Sequence, residues 1–221
     1  MGNLKKVFEN VYTTKKWGSK SNTPFYSGIG SYDKNIVDHY VNVIKHFTEK
    51  FQKKFNVIDI GCGDFNVGKK LLPYFNNYIG VDVVESLIKY NRSKFKNLNV
   101  NFEVLDITNQ SISFTDVIIL RQVLQHLSNQ DIISTLKNIY LKSKYIIFTD
   151  SLPINSFTPN LDIESGGKTR IGKNSGVDIT SQPFNFSFQE KQDLLTINET
   201  WNFKDKQYRY LTKTIIYKQY E

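Results

Sequence analysis

A single cysteine, Cys62, stands in a chain of 221 residues, which excludes an internal disulfide and any zinc site built from several thiolates. Arginine is nearly as scarce, with four residues (Arg92, Arg121, Arg170 and Arg209) against 25 lysines. Nucleic-acid surfaces lean on arginine for bidentate contacts to phosphates and bases. The lysines here are scattered, their densest groups being pairs such as Lys5-Lys6 and Lys69-Lys70. The net charge of +8 therefore reads as a bias toward Lys and Asn, and a nucleic-acid partner is not expected. Long apolar runs are also missing. No stretch approaches the roughly 20 residues of a membrane span, and the N-terminal MGNLKKVFENVY has no apolar signal-peptide core. Lys6 stands where a myristoylation signal on Gly2 would place Ser or Thr. These absences predict a cytoplasmic protein.

Apolar residues at 39% and aromatics at 14% predict a folded globule with one core, and one domain is the default at this length. The most informative stretch is NVIDIGCGDFNVGKKLL, Asn56 to Leu72. Val57, Ile58 and Ile60 form the short apolar run of a strand buried on both faces. Gly61-Cys62-Gly63 breaks the run, and Asp64 is placed to cap a helix starting there. Glycine lets a ligand approach the backbone closely. A turn built for pyrophosphate would favour an uncharged G-x-G-x-x-G. Here Asp59 and Asp64 flank the turn and the third glycine is missing, which suits a ligand carrying positive charge and argues against a dinucleotide oxidoreductase.

The rest of the chain continues the alternation. Asn35 to Phe51 places Ile36, Tyr40, Val43, Ile44, Phe47 and Phe51 at helical spacing, with His39 and His46 expected to be solvated or capping. A second strand ends at Asp82, a third runs from Val100 to Ile107 through Asp106, a fourth from Asp116 to Leu120, and a fifth from Lys144 to Ser151 through Asp150. Ser128 with Asp131 reads as a capping pair opening a helix with Ile132, Leu136 and Ile139 inward. Residues 152–183 lack periodicity. FSFQEKQDLL then predicts a short helix, and TINETWNF with YRYLTKTIIYK an antiparallel hairpin. The expected fold is α/β, a Rossmann-like three-layer sandwich with a seven-stranded, mostly parallel sheet closed by that hairpin.

VIDIGCGDF, YIGVD and VLQHLS, with WG…YSGIGS before them and DIESGG…R…QPFNF after, resemble the class I S-adenosylmethionine-dependent methyltransferases, and among them small bacterial members encoded with surface-polysaccharide genes. The resemblance implies S-adenosylmethionine as cofactor, S-adenosylhomocysteine as product and no metal. It assigns the cofactor to Gly28, Asp59, Gly61, Cys62, Gly63, Asp64, Asp82, Val83, Asp106, Ile107, Arg121 and Gln122. Asp82, 23 residues beyond Asp59, would accept from ribose hydroxyls, and Asp106 from the adenine amine. Tyr26 and Arg170 are assigned to the acceptor, His126 to general-base catalysis of a hydroxyl, and Asp150 to the same role in its place. With an unperturbed imidazole, turnover would rise through pH 6 to 7. Residues 1–34 are expected to form an arm or lid on a methyltransferase domain at 35–221, with 152–183 closing beside it. The expected acceptor is a small polar molecule, a sugar or other capsule precursor or a phosphate-type oxygen. Amine or nucleic-acid N-methylation and a non-catalytic binding subunit stay open. Oligomeric state is not readable.

Overall fold

The computed structural model describes residues 4–21, 23–203 and 206–220. Its elements run α1 (Leu4–Thr13), α2 (Lys34–Thr48), β1 (Phe55–Ile60), α3 (Gly68–Leu71), β2 (Phe75–Asp82), α4 (Glu85–Lys94), β3 (Asn101–Val104), β4 (Thr115–Arg121), α5 (Asn129–Ile139), β5 (Ser143–Pro153), β6 (Glu190–Phe203) and β7 (Lys206–Lys218). The seven strands form one sheet in the order β3-β2-β1-β4-β5-β7-β6. The first five are parallel, and β7 and β6 run antiparallel. Strand order reverses between β1 and β4, and in open α/β sheets that reversal opens a crevice at the carboxyl ends of the strands.

Side chains alternate across a strand, and this sorts the apolar strand residues into two cores. Ile58, Ile60, Ile118, Leu120, Ile146 and Phe148 pack with Ile132, Leu136 and Ile139 of α5 on one face. Val57, Val117, Ile119 and Ile147 pack with Tyr40, Ile44 and Phe47 of α2 and Ile88 of α4 on the other. Helices thus cover both faces of the sheet. Among the described residues no helix is long and apolar enough to cross a membrane.

Caps follow the side chains available. Asp33 accepts from Ile36 N at the start of α2, and Ser128 from Asp131 N at the start of α5. His39 and His46 are exposed, each with Nδ1 at hydrogen-bond distance from the carbonyl four residues back.

Three expectations are corrected. Asp64 caps no helix, because α3 begins only at Gly68 and the carboxylate is engaged by Tyr32 and Ser27. The third strand ends at Val104, so Asp106 lies in the following turn. No helix forms over FSFQEKQDLL. Glu190 onward is edge strand, paired with β7 along its whole length, and that pairing overrides the local preference. Within the segment expected as an arm or lid, residues 4–13 are a helix that buries Leu4, Val11 and Tyr12.

Candidate active site

The carboxyl ends of β1, β2 and β4 open into a cavity of about 870 Å³, inside the range of roughly 300–1,000 Å³ typical of small-molecule sites. Its floor is the glycine turn after β1. Gly61 N and Cys62 N both donate to Val81 O, at 2.8 and 3.0 Å, which pins the turn onto β2. Gly61 and Gly63 hold φ of +70° and +54°, conformations that L side chains rarely adopt. A Cβ at Gly61 would lie 2.6 Å from Val123 Cγ2, and one at Gly63 would strike Ser27 Oγ. Asn91 of α4 donates to Gly63 O at 2.7 Å from behind.

Acidic side chains surround this floor. Asp82 Oδ2 accepts from Gly63 N at 3.2 Å and Oδ1 from Val84 N at 3.0 Å. Burial pushes Asp82 up to about 6, and these backbone donors hold it from rising further. Asp59 accepts from the Tyr78 hydroxyl at 2.8 Å. Burial raises it to about 7 against the opposing pull of Tyr78 and Arg121. Asp106 spends Oδ1 on Thr108 N and Oγ1, and Oδ2 on Asn109 Nδ2. It still lines the cavity.

The N-terminal segment forms the roof. Tyr32 donates to Asp64 Oδ2 at 2.6 Å, Arg121 Nη2 to Gly30 O at 2.6 Å and Asn66 Nδ2 to Ser31 O at 2.7 Å. Gly30 faces the Gln122 amide so closely that a Cβ would lie 2.6 Å from Gln122 Oε1. Gln122 itself holds a φ of +55° and donates its backbone N–H to Thr149 O.

The far wall carries His126, in the short 3-10 turn Leu124–His126 after β4. Its Nδ1 lies 3.0 Å from Lys168 O. A carbonyl can only accept, so Nδ1 bears the proton and Nε2 is the bare nitrogen. Trp17 packs on the ring with centroids 4.9 Å apart and donates to Gly167 O. Burial lowers the imidazole to about 4.

All twelve residues expected at the cofactor line the cavity, as does His126. Three others do not. Arg170 is 1% exposed, and its guanidinium donates to the carbonyls of Leu161, Leu124, Gln125 and Leu127 and to Asn129 Oδ1. It has no donor left facing an acceptor molecule. Asp150 is buried and outside the cavity lining, its Oδ1 accepting from Ser151 N at 2.8 Å. Tyr26 stacks on Tyr32 at 4.7 Å outside the main cavity. The reading from sequence missed Tyr12, Trp17, Ser27 and Tyr32. The helical recurrence of Leu4, Val7, Phe8, Val11 and Tyr12 was the available signal for the first.

These residues fit S-adenosylmethionine. Buried carboxylates suit its cationic groups, the glycine turn admits close approach, and Val83, Leu105 and Ile107 offer an apolar slab for the purine. Among the described residues no group of His, Cys, Asp or Glu is arranged to hold a metal ion.

Comparisons with known proteins agree. Residues 58–142 match the family described as "Methyltransferase domain". The whole chain aligns with the whole of the N-methyltransferase NodS from Bradyrhizobium japonicum WM9, determined with S-adenosylhomocysteine, at a TM-score of 0.64 and 12% identity. The chain has the Rossmann-like fold of these methyltransferases. Magnesium protoporphyrin IX methyltransferase from Synechocystis PCC 6803, with bound cofactor, matches 99% of this chain and 98% of its own at a TM-score of 0.60 and 14% identity. A protein of Invertebrate iridescent virus 6 named as methyltransferase 235L is 36% identical over 88 residues. That match covers 38% of this chain and 32% of the viral one, so the chain spans about a third of the length of the curated relative it matches.

Proposed function

We propose that this chain is an S-adenosylmethionine-dependent methyltransferase acting on a hydroxyl of a small polar acceptor, a sugar or other surface-polysaccharide precursor. The observation that carries the reading is His126, whose Nδ1 proton is committed to Lys168 O, leaving an unprotonated Nε2 at the cavity wall. S-adenosylmethionine, when bound, supplies a methyl group on a sulfonium, open to in-line attack. Asp59, Asp64 and the glycine turn would hold its charged amino-acid end, Asp82 its ribose, and Asp106 with Ile107 its base. His126 Nε2 would take the proton that the acceptor hydroxyl gives up, a role worth about 10²–10⁴-fold.

The cover over the site supports a small acceptor. The arm before α2 and the loop containing Gly167–Gly172 both contribute to the cavity wall, a closure that a duplex would have to displace. The WG…YSGIGS arm is also where the chain resembles enzymes encoded with surface-polysaccharide genes. A second reading, an anionic phosphate-type oxygen that needs no base, is favoured by the lowering of His126 to about 4.

The test is calorimetry with S-adenosylmethionine, followed by transfer assays on nucleotide-activated sugars, amines and phosphate esters. Asp82→Ala should weaken cofactor binding by about tenfold or more, since a charged hydrogen bond contributes about 1.5–3 kcal/mol. Unchanged affinity, or transfer confined to amines, overturns the reading.

A further inference from the structure

His126 owes its bare nitrogen to one carbonyl, Lys168 O, which accepts the Nδ1 proton at 3.0 Å. That carbonyl belongs to a strap, residues 165–170, bonded to the turn at both ends. Ser165 Oγ accepts from Ser128 N, and Arg170 gathers the carbonyls of Leu124, Gln125 and Leu127. Between them Gly166 N donates to His126 O at 2.8 Å. The strap's middle is Gly166-Gly167, whose peptide planes turn at little cost because neither residue has a Cβ. The direction of Lys168 O therefore has to be set from outside the strap.

Trp17 sets it. Its indole N–H donates to Gly167 O at 3.1 Å, which fixes the peptide plane directly before Lys168. The indole also packs on the imidazole with ring centroids 4.9 Å apart. Tyr12 and Phe8 of α1 brace it in turn, their centroids 5.3 and 6.2 Å from its own. The arm and the strap are in close contact here, since a Cβ at Gly167 would lie 3.3 Å from Lys16 Cβ. Trp17, Gly167, Lys168 and His126 all line the cavity. We infer that Trp17 is the positioning residue for His126, aiming the Lys168 carbonyl that keeps the imidazole proton on Nδ1 and leaves Nε2 bare. This rests on the hydroxyl-acceptor reading above and adds a residue to it. Without the indole N–H the Gly167–Lys168 peptide can turn and Nδ1 loses its acceptor. The proton is then free to move to Nε2, where it blocks the base.

The experiment uses the full chain with S-adenosylhomocysteine bound and reads the histidine tautomers by nitrogen-15 NMR near neutral pH, with His126→Asn identifying the signal. The tautomer is read whether or not an acceptor is turned over. Trp17→Phe keeps a ring against the imidazole and removes the donor, while Trp17→Leu removes both. Cofactor affinity and thermal midpoint report whether the variants fold. The parent should show the Nδ1–H form, and both variants should populate the Nε2–H form. With UDP-glucose or GDP-mannose as hydroxyl acceptor, Trp17→Phe should lower kcat about tenfold, the factor that one ordinary hydrogen bond is worth. Cofactor affinity and acceptor KM should stay within about twofold. With phenyl phosphate, an acceptor that is already anionic, the loss should be small. An Nε2–H imidazole in the parent, a parental tautomer in both variants, or an equal loss on sugar and phosphate overturns the role of Trp17 and leaves the hydroxyl reading standing. Full turnover of the sugar by His126→Asn overturns that reading and this inference with it.

Discussion

Asp64 and Ser27, 37 residues apart, each use a backbone N–H to bond the other's side chain: Asp64 N donates to Ser27 Oγ at 2.9 Å and Ser27 N to Asp64 Oδ2 at 3.3 Å. Tyr12 adds its hydroxyl to Ser27 at 3.2 Å, and Tyr32 adds its own to the same Asp64 oxygen. One cluster thus ties α1, the arm and the glycine turn together. Whatever orders the turn also orders the roof, and the expected consequence is that cofactor binding and ordering of the arm are linked.

Ser27→Ala tests that link. It removes the oxygen that answers Asp64 N–H, at a cost of about 1 kcal/mol. The expected outcome is cofactor affinity weakened about fivefold and faster proteolysis within residues 15–31, with protection restored at saturating S-adenosylmethionine. Unchanged cleavage in the variant would show that the arm closes independently of the turn.

Arg170 makes a different demand. Its guanidinium gathers the carbonyls of Leu124, Gln125 and Leu127, which form the turn carrying His126. Arg170→Ala leaves these acceptors buried and unpaired, so the protein should lose about 3 kcal/mol or more of stability, measured by urea unfolding. Arg170→Lys should recover only part, because an ammonium cannot span the fork. A variant of parental stability with a raised acceptor KM would return Arg170 to the binding site.

Asp150 is a buried carboxyl whose Oδ2 has no partner, and burial pushes it up to about 8. Its folded value exceeds its unfolded one, so its contribution to stability is present at low pH and lost as pH rises through the folded value. Asp150→Asn removes that titration. The stability difference between variant and parent should shift toward the variant by up to about 1.4 kcal/mol per pH unit from pH 5 to pH 8. A pH-independent difference in denaturation midpoint would mean that Asp150 stays ionised in the fold.

Much of this was legible in the sequence because the signals were local. β1 and the glycine turn follow from Val57, Ile58 and Ile60 running into Gly61 and Gly63. Asp82 was found because its place at a strand end needs no partner to define it. What escaped depended on distant contacts. Nothing near Arg170 announces that the carbonyls of residues 124–127 will surround it. Asp150 was assigned by its strand end alone, and the fold buries it outside the cavity lining. β6 is strand because β7 lies beside it, whereas the local sequence Glu190–Leu195 reads equally well as a helix. α1 was readable from its spacing, and the arm residues Ser27 and Tyr32 were not.

His126 brings geometry and titration together. Burial lowers its imidazole to about 4, below the ordinary value near 6.5. Its folded value is depressed, so the neutral form is the stable one: the associated stability is present above about pH 6.5 and lost as pH falls toward 4. Turnover therefore should not rise through pH 6 to 7 as an unperturbed histidine would require. It should stay level from pH 6 to pH 8 and fall only as pH approaches 4 to 5. His126→Asn can keep a donor on Lys168 O while removing the bare nitrogen. It should leave cofactor affinity within about twofold and lower kcat by about 10²-fold or more on a hydroxyl acceptor. On an acceptor that is already anionic the same variant should lose little, because no proton has to leave. Measuring both acceptors in both proteins separates a base from a scaffold. A loss of equal size on each would make His126 a scaffold and nothing more.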